Sequence, residues 1–136
     1  THQEKVNFTR YVENGGFVFV DDCNHDIDGM FARTFEAQMA EIFGEQALQK
    51  IPNDHSIYSS FFTFDGPPQT SVELNGWGDD MVHDYLKAIQ INGRIGVLYS
   101  NKDYGCEWDY DFRNKRWYKN DNTRFAVNIV MYALTS

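Results

Sequence analysis

The sequence predicts one compact, soluble α/β domain around a short, mainly parallel sheet. Three observations carry that expectation: an all-apolar run at Phe17-Val18-Phe19-Val20, a polar loop after it, and an amphipathic segment from Met30 to Phe43. Four β-branched and aromatic residues without polar alternation describe a strand buried on both faces, which is characteristic of the interior of a parallel sheet. The strand is therefore expected inside the sheet, with parallel neighbours and a helix packed on one face.

Each element follows in order. Glu4 to Asn14 places Val6, Tyr11 and Val12 on a helical stripe, and Gly15-Gly16 stands where a helix uses glycine to stop. After the polar stretch Asp21 to Gly29, the residues Met30, Phe31, Thr34, Phe35, Met39, Ile42 and Phe43 recur at spacings of three and four, opposite Arg33, Glu36 and Glu41. Asp26 or Asp28 is placed to cap this helix and Gly44 to end it. Leu48 to Pro52 reads as a short strand, Ser56 to Ser60 as a single turn, and Gly66-Pro67-Pro68 as a loop. Asn92-Gly93 between Tyr85–Ile91 and Arg94–Ser100 predicts a hairpin closed by a type I′ turn. From Asn120 to Thr135 a last helix, apolar around most of its circumference, is expected to be buried.

Composition narrows the partners. The chain has 136 residues, 42% of them hydrophobic, enough for one core and against disorder. Twenty acidic residues against 12 basic ones give a net charge of -8, which disfavours phosphate neutralisation and hence nucleic acid, and likewise an anionic membrane surface. No apolar stretch approaches the ~20 residues of a membrane span. The expected partners are a small ligand or a protein. Thr1 to Lys5 is followed by no apolar signal segment, and the chain opens directly in a helical stripe, so a preceding segment is expected to have been lost.

Three segments carry chemistry, each with a structural reading beside the functional one. Asp21-Asp22-Cys23-Asn24-His25-Asp26-Ile27-Asp28 sits where a strand gives way to a helix, the edge at which open α/β sheets bind ligands. Its carboxylates and imidazole suit a cation or a polar ligand; they equally suit helix capping. Cys23 reads as a nucleophile, as half of a disulfide with Cys106, or as an inert thiol, and the flanking aspartates would raise its pKa. If the strands ending at Val20 and Ser100 run in one direction, the two cysteines become neighbours. Asp103 to Asp111, read as a loop, alternates carboxylates with rings, as does Trp77-Gly78-Asp79-Asp80 with His83 and Tyr85; such pairs suit sugar or cation recognition, or simply pack over the sheet edge. His55 between Asp54 and Ser56 is discounted as a triad, because sequence adjacency is not convergence. The candidate site is thus Asp21, Asp22, Cys23, His25, Cys106, Glu107 and Trp108, with Cys23, His25 and Glu107 the candidates for any catalysis. No motif specifies a cofactor or a metal.

The strings Arg10 to Cys23, Gly96-Val97-Leu98-Tyr99-Ser100 followed by Gly105-Cys106-Glu107-Trp108, and Val127 to Leu134 resemble a bacterial family, the domain of unknown function 4159 family, related to the class I glutamine amidotransferase-like superfamily with its trehalose-utilisation-like proteins. The resemblance implies a flavodoxin-like, glutamine amidotransferase-like three-layer fold, with a mainly parallel sheet lacking its amino-terminal strands and with a β-hairpin added. It implies one domain over residues 1–136, the carboxyl-terminal part of a larger one, in the bacterial periplasm or cell envelope. Cys23 falls near the position of the superfamily's nucleophile, but its neighbours are Asp22 and Asn24 where the elbow has glycines, and the completing His-Pro-Glu is missing. Two readings follow: a non-catalytic ligand-binding or protein-interaction module, and a hydrolase or metal-dependent enzyme using the edge carboxylates.

Overall fold

The computed structural model describes residues 1–22, 29–70, 73, 83–114 and 121–136. Helix α1 (His2–Glu13) ends at Asn14, and Gly15, at φ 105°, turns the chain into strand β1 (Val18–Asp21). Helix α2 (Met30–Phe43) starts from Gly29 at the N-cap position, without a side-chain cap; Asp26 and Asp28 lie outside the described residues. Gly44, also at φ 105°, closes it. Strand β2 (Leu48–Lys50) and a 3-10 turn (Ser56–Ser59) follow. Strands β3 (Lys87–Ile91) and β4 (Arg94–Ser100) form the expected hairpin, with Asn92 at φ 54° and Gly93 at φ 82°, the positive pair that a type I′ turn requires. Helices α3 (Tyr104–Arg113) and α4 (Asp121–Thr135) complete the chain.

The sheet overturns the mainly parallel, flavodoxin-like expectation. Its four strands run in the order β1-β4-β3-β2, and only β1 and β4 are parallel. The physical reason is the Asn92-Gly93 turn. It places β3 antiparallel beside β4 in the middle of the sheet, where a parallel fold would need a crossover connection. Among the described residues β1 is an edge strand, so the expected interior position of Phe17 to Val20 is also corrected. Its residues are half-buried rather than buried. An apolar run on both sides of a strand reports that both faces of the sheet are covered; it says nothing about whether both edges are paired.

Both faces are covered. On one, Ile57, Tyr58, Leu98, Tyr104, Phe125 and Ile129 form a core beneath α3, α4 and the 3-10 turn. On the other, Val12, Met39, Ile89 and Val97 pack under α1 and α2. Strand β4 feeds both and carries a bulge: Ile89 pairs with Val97 and Gln90 with Ile95, which leaves Gly96 as the extra residue. A Cβ at Gly96 would stand 2.5 Å from Val12 Cγ1, so this close approach of α1 requires glycine. Arg94 reinforces the joint by donating to Val12 O at 2.7 Å and to Gly16 O at 3.1 Å.

Two further expectations change. Asp103 to Asp111 is not a loop, because its Tyr104, Glu107 and Asp111 recur at helical spacing and are the buried residues of α3. Helix α4 is not buried all round: it turns Phe125, Ile129 and Tyr132 inward and leaves Val130 and Leu134 exposed, because one sheet face covers only one side of a helix.

Asn128, wholly buried on α4, organises the segment after the 3-10 turn. Its Nδ2 donates to Ile57 O at 3.0 Å and Phe62 O at 2.8 Å, and its Oδ1 accepts the Phe62 N–H at 2.7 Å. Asn128→Ala strands these backbone groups in the core and is expected to lower unfolding free energy by about 3 kcal/mol in urea titrations. A loss under half of that would show that the segment re-pairs elsewhere.

Candidate functional site

Parallel pairing sets Asp21 beside Ser100, so the chain leaves β1 and β4 at the same sheet edge. The edge is stitched together by backbone and side chain: the Asp22 N–H donates to Ser100 O at 2.8 Å, and the Tyr99 hydroxyl to Asp22 Oδ2 at 3.3 Å. Asp103 takes the left-handed conformation (φ 59°, ψ 50°), a sharp turn that sends the chain from β4 into α3. Asp21 closes the joint across the gap, its Oδ2 accepting the Gly105 N–H at 2.7 Å in the first turn of α3, where a carboxylate is favoured by the helix dipole.

Asp21 is nevertheless held at a disadvantage. Burial pushes its carboxyl above the ordinary value of 3.8, against the Gly105 and Tyr104 N–H groups that favour the charged form. Its Oδ1 is shielded from solvent and makes no hydrogen bond to another described residue.

Behind Asp21 lies a buried ion pair that nothing in the sequence pattern announced. Lys102 Nζ donates to Glu73 Oε2 at 2.8 Å, with side-chain exposures of only 1% and 10%. Glu73 Oε1 accepts the Thr70 N–H at 3.2 Å, and the Lys102 N–H donates to Ser100 Oγ at 3.0 Å. Tyr104 donates its hydroxyl to Pro68 O at 2.6 Å; burial, followed by the neighbouring charge of Glu73, pushes that hydroxyl well above its usual range. A lysine just after a strand ordinarily reads as a solvated charge. The available signal was position alone, since Ser100-Asn101-Lys102 directly continues the most buried strand.

Of the expected site residues, Asp21, Asp22, Cys106, Glu107 and Trp108 lie on the two segments that leave the sheet at this edge, the end of β1 and the start of α3. Cys106 is exposed on α3 while Glu107, the next residue, is buried. Trp108 packs inward, its ring 5.7 Å from Phe19 and its Nε1–H donating to Asn122 O at 2.7 Å. Asp111 accepts the Thr123 hydroxyl at 2.5 Å. Cys23 and His25 lie outside the described residues, and with them the expected Cys23–Cys106 proximity. Trp77 to Asp80 lie outside as well; His83 stacks on Tyr85 at 4.5 Å, and Lys50 sits 4.2 Å from the centre of the same ring. His55 has a structural duty, its Nδ1 accepting the Ile57 N–H at 3.1 Å to cap the 3-10 turn. Among the described residues no group of three or more His, Cys, Asp or Glu side chains is arranged to hold a metal ion.

Two measurements follow from these charges. Because the folded state raises the Asp21 pKa, it binds this proton more readily than the unfolded chain, and the penalty on stability develops as pH rises from 3.8 through the folded value. Asp21→Asn is therefore expected to melt above the wild type at neutral pH, with the gap closing toward pH 3.8; a variant that melts lower at every pH would contradict this. For the ion pair, Lys102→Met alone should cost about 3–5 kcal/mol by leaving Glu73 unpaired, whereas Lys102→Met with Glu73→Leu should recover most of that loss. Equal losses in the single and double variants would show that the two charges do not act as a pair.

No curated protein matches the chain. The family model described as a domain of unknown function (DUF4159) matches residues 1–134, and the chain belongs to that family.

Proposed function

We propose that this chain is a non-catalytic module that binds a small polar ligand at the sheet edge where β1 and β4 end. The reading is carried by how the charged groups of that edge are engaged. Asp22 accepts from Tyr99, and Lys102 is sealed against Glu73. Groups bound in this way shape an edge but are poorly placed to act as nucleophile or base, which need a reacting atom within hydrogen-bond reach. Descent from the class I glutamine amidotransferase-like superfamily accounts for a cysteine directly after β1. Asp22 and Asn24 around Cys23, in place of elbow glycines, favour loss of that chemistry, because the oxyanion hole of an elbow depends on its tight turn.

One observation favours the second reading, a hydrolase or metal-dependent enzyme. Asp21, with its raised pKa, has the property that a general acid or base needs.

The two separate in one set of experiments. Amide NMR spectra recorded with amino acids, simple sugars and nucleotides are expected to show shifts at Asp21–Asp22 and Ser100–Trp108 for the class that binds, with no turnover of any of them. Ammonia release from glutamine that disappears in Cys23→Ser would overturn the non-catalytic reading, and shifts confined to other surfaces would overturn the choice of edge.

A further inference from the structure

A short helical turn leaves its first N–H groups without a partner inside the turn, and a side chain just before it can supply one. Serine, threonine, aspartate and asparagine usually do so, through an oxygen that remains an acceptor near neutral pH. In the 3-10 turn the capping side chain is instead His55, although Asp54 and Ser56 stand on either side of it. Its Nδ1 accepts the Ile57 N–H at 3.1 Å. A backbone amide can only donate, so Nδ1 carries no proton and the ring is neutral, with its hydrogen on Nε2. Imidazole is the ordinary side chain that loses such an acceptor within roughly pH 5 to 8.

The cap stands at a joint. Ile57 and Tyr58, the residues it orders, are buried in the core beneath α4. Beyond them the segment is held a second time, by Asn128 donating to Ile57 O and Phe62 O, and by Ser60 Oγ donating to Asn128 O at 2.7 Å. The turn is thus fastened at its far end by groups that do not titrate and at its near end by one that does. Two neighbours bear on the charge of the imidazole. The Asp54 carboxylate favours the protonated form. On α4 the ring of Tyr132 lies 5.7 Å away and can pack on either form, its hydroxyl already accepting the Ile95 N–H at 2.8 Å. Burial outweighs the carboxylate and holds the His55 pKa below the usual 6.5.

We propose that His55 is a proton-operated latch: neutral, it closes the amino end of the 3-10 turn through Nδ1, and protonated it releases that end while Asn128 keeps the rest in place. A proton on Nδ1 would point at the Ile57 N–H, two donors face to face, so the cap and the charge exclude each other. The open turn takes up this proton as an exposed histidine does, and the closed turn takes it up less readily. The advantage of the closed turn is therefore fully present above pH 6.5 and is lost as pH falls below it.

Hydrogen exchange of the wild-type chain, corrected at each pH for the rate of an unstructured peptide, tests the latch. Protection of the Ile57 amide is expected to fall about tenfold from about pH 7.5 to about pH 5.5, because each unit below about 6.5 favours the open, protonated turn about tenfold. Phe62, held by Asn128, and the β4 amides of Val97 and Leu98 should keep their protection. His55→Asn retains an acceptor oxygen for the Ile57 N–H but takes up no proton, so its Ile57 protection should not vary with pH. Should that variant fail to fold, the wild-type profile decides alone, together with imidazole nitrogen NMR shifts that report the Nε2–H form at neutral pH. A fall of less than about threefold at Ile57, or an equal fall at Phe62 and along β4, overturns the proposal. So does a hydrogen on Nδ1 at neutral pH, or a His55→Asn variant that keeps the wild-type pH profile.

Discussion

Strand β4 is the constraint on which the other elements depend. It takes β1 on one side and β3 on the other, and Ile95 through Ser100 are all buried. A strand in that position has to supply side chains to two cores while its backbone serves two ladders. Alternation does this for Val97, which faces α1 and α2, and Leu98, which faces the α4 layer, and the bulge at Gly96 shifts the phase so that Ile95 joins Leu98 rather than Val97. The same glycine lets Val12 of α1 descend onto the strand, and Arg94 fastens the end of that helix by its carbonyls. The hairpin turn, the bulge and the arginine lie within five residues, and together they fix where both helical layers sit.

The edge that carries the polar residues inherits its geometry from the same strand. Because β1 runs parallel to β4, Asp21 ends beside Ser100, and the chain beyond Ser100 must double back through Asp103 to begin α3. Burying Lys102 with Glu73 and pressing Asp21 against the first turn of α3 are both unfavourable as isolated acts, since desolvation opposes each charge. They are tolerated because a cationic partner, or backbone N–H groups, stand within hydrogen-bond distance. Among the described charged residues there, Asp22, Lys102 and Glu107 are buried.

Several elements were legible in the sequence for local reasons. Helices α1 and α2 were marked by a stripe of apolar residues and a closing glycine, and the hairpin by Asn92-Gly93. In each, the physics acts within a few residues. The stripe of α3 was equally present, in Tyr104, Glu107 and Asp111, but two of those residues are carboxylates, and periodicity read through hydrophobic residues alone passes over a buried acid. The candidate site was legible in part: the arrival of Asp21, Asp22, Cys106, Glu107 and Trp108 at one edge follows from two strands ending together. Their division into buried and exposed members depends on the helix phase of α3.

The sequence by itself determined the local conformations, the apolar faces and the acidic balance, because backbone stereochemistry and side-chain polarity act over short distances. The tertiary structure alone decided the order and direction of the described strands, which put β1 at the end of that order, and the pairing of Lys102 with Glu73. Those depend on which distant segments meet. An apolar strand such as Phe17 to Val20 satisfies the same burial requirement at an edge sheltered by two helical layers as it would at a centre, and only the arrangement of its neighbours distinguishes the two.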